Sequence, residues 1–502
     1  MNTLKKSIDH HSPLLWGIFI LYLLLAAWGI ARHELWGDEI HAWNIAKGSR
    51  SLWQLLQSTR YEGHPPLWHL FLFSLSRFTT DPSSMQALHF VIAALVCWML
   101  VFESPFPLLT KILLPFGYFF LYEYGVLSRN YALAISLILL LVVVIRKRSA
   151  ALQWLYFILL FLLSLTHIYG IFMAACLHLY FIMMEKEKNR LKWVPACVGF
   201  LLLLPAAWFV FPPSDGETNL HFFLGRWEFS QAVITIQAPL RAWIPVPAWW
   251  EPHCWNTEFL LQWQQQWRWL RFVTPLLNIG ILLLAASVLK RDRKSLYLFA
   301  VNCLLTLGFS AVIFPASTLR YTGFLFVGWI AAWWLSCAEQ EPLKKENRIV
   351  HSLLVIQLIG TVIMLPKDLR QPFSQLPAIN QLLASAPSGI PVVTDYWTLN
   401  AVAAFANRSM YCIDLRKEIS FVVWGRDFAL IRQQQNRYDA GIREWFRRSG
   451  TGAVCMISTG SPLQLKKLDP LFMDNYRPVL IGELEGSIEK GSDLYLYQIT
   501  KR

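Results

Sequence analysis

Charge is what this chain has least of. Of its 502 residues only 15% are Asp, Glu, Lys or Arg, against roughly 25% in a soluble domain, while 55% are hydrophobic and the mean hydropathy is +0.39. Ionised groups are expensive in hydrocarbon, so the deficit excludes an ordinary soluble globule and fits a chain that crosses a bilayer many times. A glycine-rich phosphate loop is also missing, which removes the usual mark of a nucleotide-binding domain. The eight Cys show no metal-ligand spacing, and most lie in or beside apolar runs, where a thiol is small apolar filler. No convincing internal repeat is present and the apolar runs are mostly clean in the middle, which argues against a secondary transporter. The first apolar run, Leu14 to Ala31, lacks a small-residue cleavage site and is long enough to stay as a helix.

What is abundant agrees with a membrane setting. There are 24 Trp, whose indole rings suit the bilayer–water border. About 20 apolar residues are needed to cross the hydrocarbon. Eleven runs qualify, near 14–31, 85–102, 108–122, 131–146, 151–166, 168–184, 193–211, 272–289, 295–314, 320–337 and 348–365. The formal charge of +13 falls in short clusters between these runs. The clusters are Lys5/Lys6, Arg146–Arg148, Lys186–Lys192, Lys290–Lys294 and Lys344–Arg348. With eleven spans they all fall on one side, the cytoplasmic one, which discounts nucleic acid as their partner. The apolar stretch Pro65 to Phe78 is too short and carries His69 and Arg77. It reads as a helix lying in the outer interface; the alternative is a true span compensated by merging two others.

The expected fold is therefore a polytopic α-helical membrane protein of about eleven transmembrane helices over 1–365, followed by a small C-terminal non-cytoplasmic α/β domain over 366–502. The outer face carries a first loop, 32–84, and a Trp-rich loop, 212–271. In the tail, 391–396 and 452–458 read as buried strands and 478–484 with 493–499 as an antiparallel pair. Residues 440–450 read as a helix closed by Gly450. Cys412 and Cys455 both fall in this unit, where a disulfide is open.

The residues able to do chemistry stand at the outer ends of the runs. Asp38, Glu39 and His41 follow the first; a carboxylate there can act as a general base, or the three can hold a divalent metal. Glu62 and His64 precede Pro65–Pro66 and can bind metal or phosphate, or simply line a helix entry. Arg129 is the only cation between the third and fourth runs, placed to meet a lipid phosphate or to snorkel. His167 ends the fifth run, and Arg320 with Tyr321 ends the tenth from outside. Asp38, Glu39, His64, Arg129, His167 and Arg320 come from distant segments yet share one face, which points to one site. The Trp-rich loop (Trp227, Trp243, Trp249, Trp250, Trp255, Trp263, Trp267, Trp269) reads first as interfacial anchoring and second as a surface for sugar rings.

The order of these motifs, GDE (37–39), HPPL (64–67), SRNYAL (128–133), THIYG (166–170) and RY (320–321), resembles the GT-C superfamily of glycosyltransferases, closest to the protein O-mannosyltransferase and lipid A aminoarabinose-transferase clan. The resemblance is good over roughly the first 210 residues and looser beyond. It implies an inverting hexosyl or pentosyl transfer from a polyprenyl-phosphate sugar to a hydroxyl of a glycan, lipid or protein. It matches Asp38 to the catalytic acid and Glu39 to its neighbour. His64, Arg129, Tyr131, His167, Arg320 and Tyr321 then bind substrate, and a divalent ion, if used, falls to Glu39, Glu62 and His64. Some members carry an acid where this chain has Ser128–Arg129–Asn130, which favours Arg129 as a phosphate ligand. The setting implied is the cell envelope, a bacterial inner membrane with the site and tail in the periplasm and lipopolysaccharide among the acceptors. The competing classes are an O-antigen polymerase or ligase and a lipid or solute transporter.

Overall fold

The structure is a computed structural model that describes residues 12–147, 152–187, 192–211, 213–214, 235, 238–313, 318–425, 431 and 436–502. Lys5, Lys6, Arg148, Lys188, Arg190 and Trp227 lie outside the described residues, as does most of 212–237. Nine described helices are long and apolar enough to cross a membrane: Pro13–Arg32, Ser83–Glu103, Asn130–Lys147, Ile168–Glu187, Trp193–Val210, Leu270–Leu289, Arg293–Val312, Leu319–Glu339 and Lys344–Asp368. Two further passes match the remaining expected spans. One is the shorter apolar helix Gln153–Ser164. The other is the broken run 108–123, where Pro115 and Gly117 interrupt the helical ladder and the last turns widen to π-helix.

Contacts at the helix ends show that these passes alternate. At one end Lys294 pairs with Glu187, Arg291 Nη1 lies 3.6 Å from Glu346, and Arg146 donates to Glu103 O at 2.6 Å. At the other end Gln86 Nε2 reaches His33 O at 3.0 Å, His33 reaches Asp368, and Tyr124 Oη donates to Arg320 O at 2.7 Å. The basic clusters at 290–294 and 344–348 thus gather with Glu187 at one end, and the polar motif residues gather at the opposite one. Helices Asn130–Lys147 and Leu319–Glu339 are the innermost, 83% buried over their spans, whereas Pro13–Arg32 and Leu270–Leu289 are 33% buried. Their outward Leu24, Trp28, Phe272 and Leu283 are the side chains that lipid would cover.

Beyond the first span the chain forms helix Gly37–Gly48, helix Leu52–Thr59 and the short helix Leu67–Leu75, which occupies the stretch read as interfacial. Its entry is tied down where Leu67 N–H donates to Leu165 O at 3.0 Å.

The tail is an α/β unit around one sheet of six strands: β1 Val392–Thr394, β2 Met410–Cys412, β3 Lys417–Ile419, β4 Ala453–Ser458, β5 Tyr476–Leu484 and β6 Leu494–Lys501. Their order is β3-β2-β1-β4-β6-β5, with β1 parallel to both β2 and β4 and the other pairs antiparallel. Helix Arg437–Ser449 packs beside the sheet and closes on Gly450 at φ 66°, a left-handed cap that glycine takes without strain. Gly441 lets this helix approach, since a Cβ there would run into the backbone of Ile413. Cys412 on β2 and Cys455 on β4 flank β1, two strand spacings (about 9.5 Å) apart, beyond what a disulfide can bridge. Both are free thiols, so the bridge left open by the sequence does not form.

Candidate active site

The site grows from helix Gly37–Gly48. Glu39 sits in its first turn and is fully buried. Its Oε2 accepts the Trp36 N–H at 3.1 Å and lies 3.2 Å from His33 Nε2, while Oε1 accepts the Ser128 N–H at 2.5 Å. His33 Nδ1 is in turn 3.0 Å from Asp368 Oδ2 at the end of the last span. Both carboxylates offset the burial that would otherwise strip the imidazole of its proton and raise its pKa from 6.5 to about 10. Asp368, His33 and Glu39 form a chain joining the last span, the first span, helix Gly37–Gly48 and the segment before Arg129. Glu39, expected as a catalytic acid, has both carboxylate oxygens engaged, by His33, Trp36 and Ser128.

Successive residues on a helix are about 100° apart, so drawing Glu39 inward turns Asp38 toward a different neighbourhood. There Asp38 Oδ2 meets Arg320 Nη2 at 2.9 Å and Arg129 Nη1 at 3.4 Å, and its side chain keeps 35% of its exposure. Burial pushes its pKa up, but Arg320 and Arg129 outweigh that and hold it below the usual carboxylate value. Asp38 is therefore ionised at any ordinary pH.

Arg320 opens helix Leu319–Glu339. Its backbone is held by the Tyr124 hydroxyl, an approach that Gly323 permits because a Cβ there would strike Tyr124 and Phe119. The guanidinium lies 5.1 Å from the ring centre of Trp36, 5.9 Å from Trp255 and 5.2 Å from Tyr321, within cation–π range of each. Among the described residues, its Nε and Nη1 find no hydrogen-bond partner. Tyr131 lies between Arg129 (5.8 Å), His167 (5.0 Å between ring centres) and Tyr321 (6.4 Å), and its hydroxyl is likewise unpartnered. His167 Nδ1 accepts the Gly170 N–H at 3.1 Å, so the proton of the neutral ring belongs on Nε2, a buried donor with no partner. The structure thus brings Asp38, Arg129, Tyr131, His167, Arg320 and Tyr321 together. Their free groups are mostly donors, which suits an oxygen-rich anion.

His64 is pushed down to about 3, first by burial and then by Arg129, so it is neutral and offers hydrogen bonds rather than charge. Of the possible metal set, Glu39 and Glu62 are hydrogen-bonded elsewhere. Glu39 is taken by His33, Trp36 and Ser128, and Glu62 Oε1 pairs with His41 Nε2 at 2.9 Å. No group of three His, Cys, Asp or Glu among the described residues is arranged to hold a metal. The Trp-rich loop divides: Trp243 and Trp255 are buried, and Trp249, Trp250, Trp263, Trp267 and Trp269 are exposed.

Sequence reasoning missed His33 and Asp368, which lie 335 positions apart, and Glu489 of the tail. Glu489 sits in the turn between β5 and β6, docked by its N–H on Phe373 O at 3.0 Å. Burial raises its carboxyl to about 7, Ser492 opposes that, and the charges of Asp38 and Arg320 both act on it. A lone acid in a polar turn gives no sequence signal of such a position.

No family model and no curated protein matches the chain. Among solved structures it is similar to ArnT from Cupriavidus metallidurans, crystallised bound to undecaprenyl phosphate, with 11% identity, a TM-score of 0.43 and 97% of each chain covered.

Proposed function

We propose that the chain is a membrane glycosyltransferase that takes a sugar from a polyprenyl phosphate and passes it, with inversion, to a hydroxyl at the outer face of the membrane. One observation carries this reading. Unpartnered buried donors on Arg320, Tyr131 and His167 converge beside the ionised Asp38, at the end of the spanning helices where a lipid phosphate would lie. The acceptor oxygen forms a bond to the anomeric carbon from the face opposite the phosphate. The bond from that carbon to the phosphate oxygen breaks, and its electron pair leaves with the polyprenyl phosphate. The acceptor proton passes to Asp38 and from there to water. Asp38 is a weak base, so it orients the hydroxyl first and takes the proton late. Once protonated it loosens its hold on Arg129 and Arg320 as the departing phosphate gains charge, and the two guanidiniums meet that charge. His64 adds a neutral hydrogen bond. A bacterial inner membrane with the site facing the periplasm is the setting that fits.

The test is transfer from labelled polyprenyl-phosphate sugars in membranes carrying Asp38→Asn or Arg129→Ala. Each variant is expected to insert normally, and Asp38→Asn to lose about 100-fold or more of its transfer rate. Unimpaired transfer by Asp38→Asn ends this reading. Movement of the labelled lipid with no new glycosidic bond points to a transporter instead.

A further inference from the structure

Beside the donors that suit a phosphate lies a second set of unpartnered groups, and it differs in kind. His69, on helix Leu67–Leu75, is 3% exposed, and neither of its ring nitrogens has a hydrogen-bond partner among the described residues. The same holds for His64 Nδ1, Ser128 Oγ and Asn130 Oδ1. Three backbone ties gather these groups around Arg129. Ser128 N–H is fixed on Glu39, in the turn that carries Asp38. Asn130 Nδ2 donates to Thr166 O at 3.2 Å, next to His167. Leu67 N–H, two residues before His69, donates to Leu165 O at 3.0 Å, two residues before His167. Burial first, then His64, His41 and Arg129, push the His69 ring down to about 3, so it is neutral.

The polarity of this set is mixed. A neutral imidazole has one N–H and one bare nitrogen, so His69 offers a donor and an acceptor. The Ser128 hydroxyl offers both. Asn130 Oδ1 only accepts, its Nδ2 being spent on Thr166. Buried polar atoms left unpaired are costly, so these call for a partner. A phosphate or carboxylate only accepts, and would leave the bare nitrogen of His69 and Asn130 Oδ1 unpaired. An ammonium would reach those two atoms, but Arg129 repels it. The acids around the site are also engaged: Asp38 by two arginines, Glu39 by Trp36 and Ser128, Glu62 by His41 and Glu489 by Ser492. A hydroxyl donates and accepts, and it satisfies every member of the set. Water that fills such a space at rest is replaced by a hydroxyl bond for bond. Covalent connectivity then says whose hydroxyls these are. In a polyprenyl-phosphate sugar a single oxygen joins the ring to phosphorus. With the phosphate on Arg129 and Arg320, the ring lies against the neighbours of Arg129.

We infer that His69, His64, Ser128 and Asn130 hold the ring hydroxyls of the transferred sugar, and that this sugar is uncharged, carrying neither an amino nor a carboxyl group. The inference rests on the donor reading above and supplies its sugar half.

The full chain in lipid nanodiscs is titrated with polyprenyl methyl phosphate, which has the charge of the donor and no sugar. It is then titrated with polyprenyl phosphates bearing glucose, galactose, mannose, arabinose, glucosamine or glucuronate. Binding is read by displacement of a labelled polyprenyl phosphate. At least one neutral-sugar lipid is expected to bind about tenfold more tightly than the methyl lipid. His69→Leu is expected to erase that margin, Ser128→Ala to reduce it several-fold, and His69→Gln, which keeps a donor and an acceptor, to retain most of it. The methyl lipid is expected to bind both variants and wild type equally. The inference is overturned if no neutral-sugar lipid outbinds the methyl lipid in wild type, or if the margin survives in both His69→Leu and Ser128→Ala. Equal weakening of the methyl lipid in those variants overturns it too, as does binding of the glucosamine or glucuronate lipid as tight as that of any neutral one. Wild type that binds none of these lipids overturns the donor reading itself, an outcome distinct from methyl-lipid binding with no sugar margin.

Discussion

At the scale of single residues, the site separates ionisable groups by their surroundings. Asp38 and Glu489 are both carboxylic acids influenced by Arg320, yet Asp38 is held below the ordinary range by two arginines while burial lifts Glu489 to about 7. Only Glu489 changes charge near neutrality. Below pH 7 it is mostly protonated and leaves the two arginines to Asp38 and a phosphate; above pH 7 it adds a negative charge that competes for Arg320. Transfer is therefore expected to fall as pH rises through about 7, and Glu489→Gln to flatten that limb. Initial rates from pH 5.5 to 8.5 for the two proteins check this, and a limb of unchanged height in Glu489→Gln rules it out. Asp38 was legible in the sequence because an acid pair just past an apolar run is a local pattern. Glu489 was not, because its importance comes from where the β5–β6 turn docks.

At the scale of elements, the same limit recurs. Helix Leu67–Leu75, helix Arg437–Ser449 and strands β1, β4, β5 and β6 stand where local sequence patterns placed them, whereas helix Gly37–Gly48 falls in a stretch that read as loop. Period and run length are local properties, and glycine marks such as Gly450 are too. What holds the elements in register was not legible. The Asp368–His33–Glu39 chain unites three distant elements, and no spacing rule spans 335 residues. It has a measurable consequence. With a folded pKa raised to about 10, protonated His33 contributes stability that is complete below 6.5 and is lost as pH rises through about 10. Removing one partner of a buried charge chain costs about 3 kcal/mol. His33→Gln is therefore expected to be less stable than wild type by about that amount at pH 6, with the gap closing toward pH 10. Denaturant titration in bicelles at several pH values reads it, and a gap that stays constant contradicts the assigned role.

At the scale of the whole molecule, sidedness organises everything else. The passes alternate so that the basic clusters at 290–294 and 344–348 meet Glu187 and Glu346 at one end, and the motif residues meet Asp38 at the other. If the basic end faces the cytoplasm, a cysteine placed at the exposed Gln57 is expected to react with an impermeant maleimide added outside intact cells, and one at the exposed Lys345 only after the membrane is opened. The reverse pattern would turn the site inward and end the proposed function. The sequence by itself determined that this chain crosses a membrane many times, which ends of its apolar runs carry polar motifs, and that its tail is an α/β unit, because hydropathy, charge placement and strand periodicity are written over short stretches. Only the tertiary structure decided that Asp38 is clamped by Arg129 and Arg320, that Glu39 is bound by His33, Trp36 and Ser128, and that the tail and helix Gly37–Gly48 share a surface. Those outcomes depend on which distant groups share a buried space, and the energy of a buried charge is set by neighbours that no local stretch of sequence names.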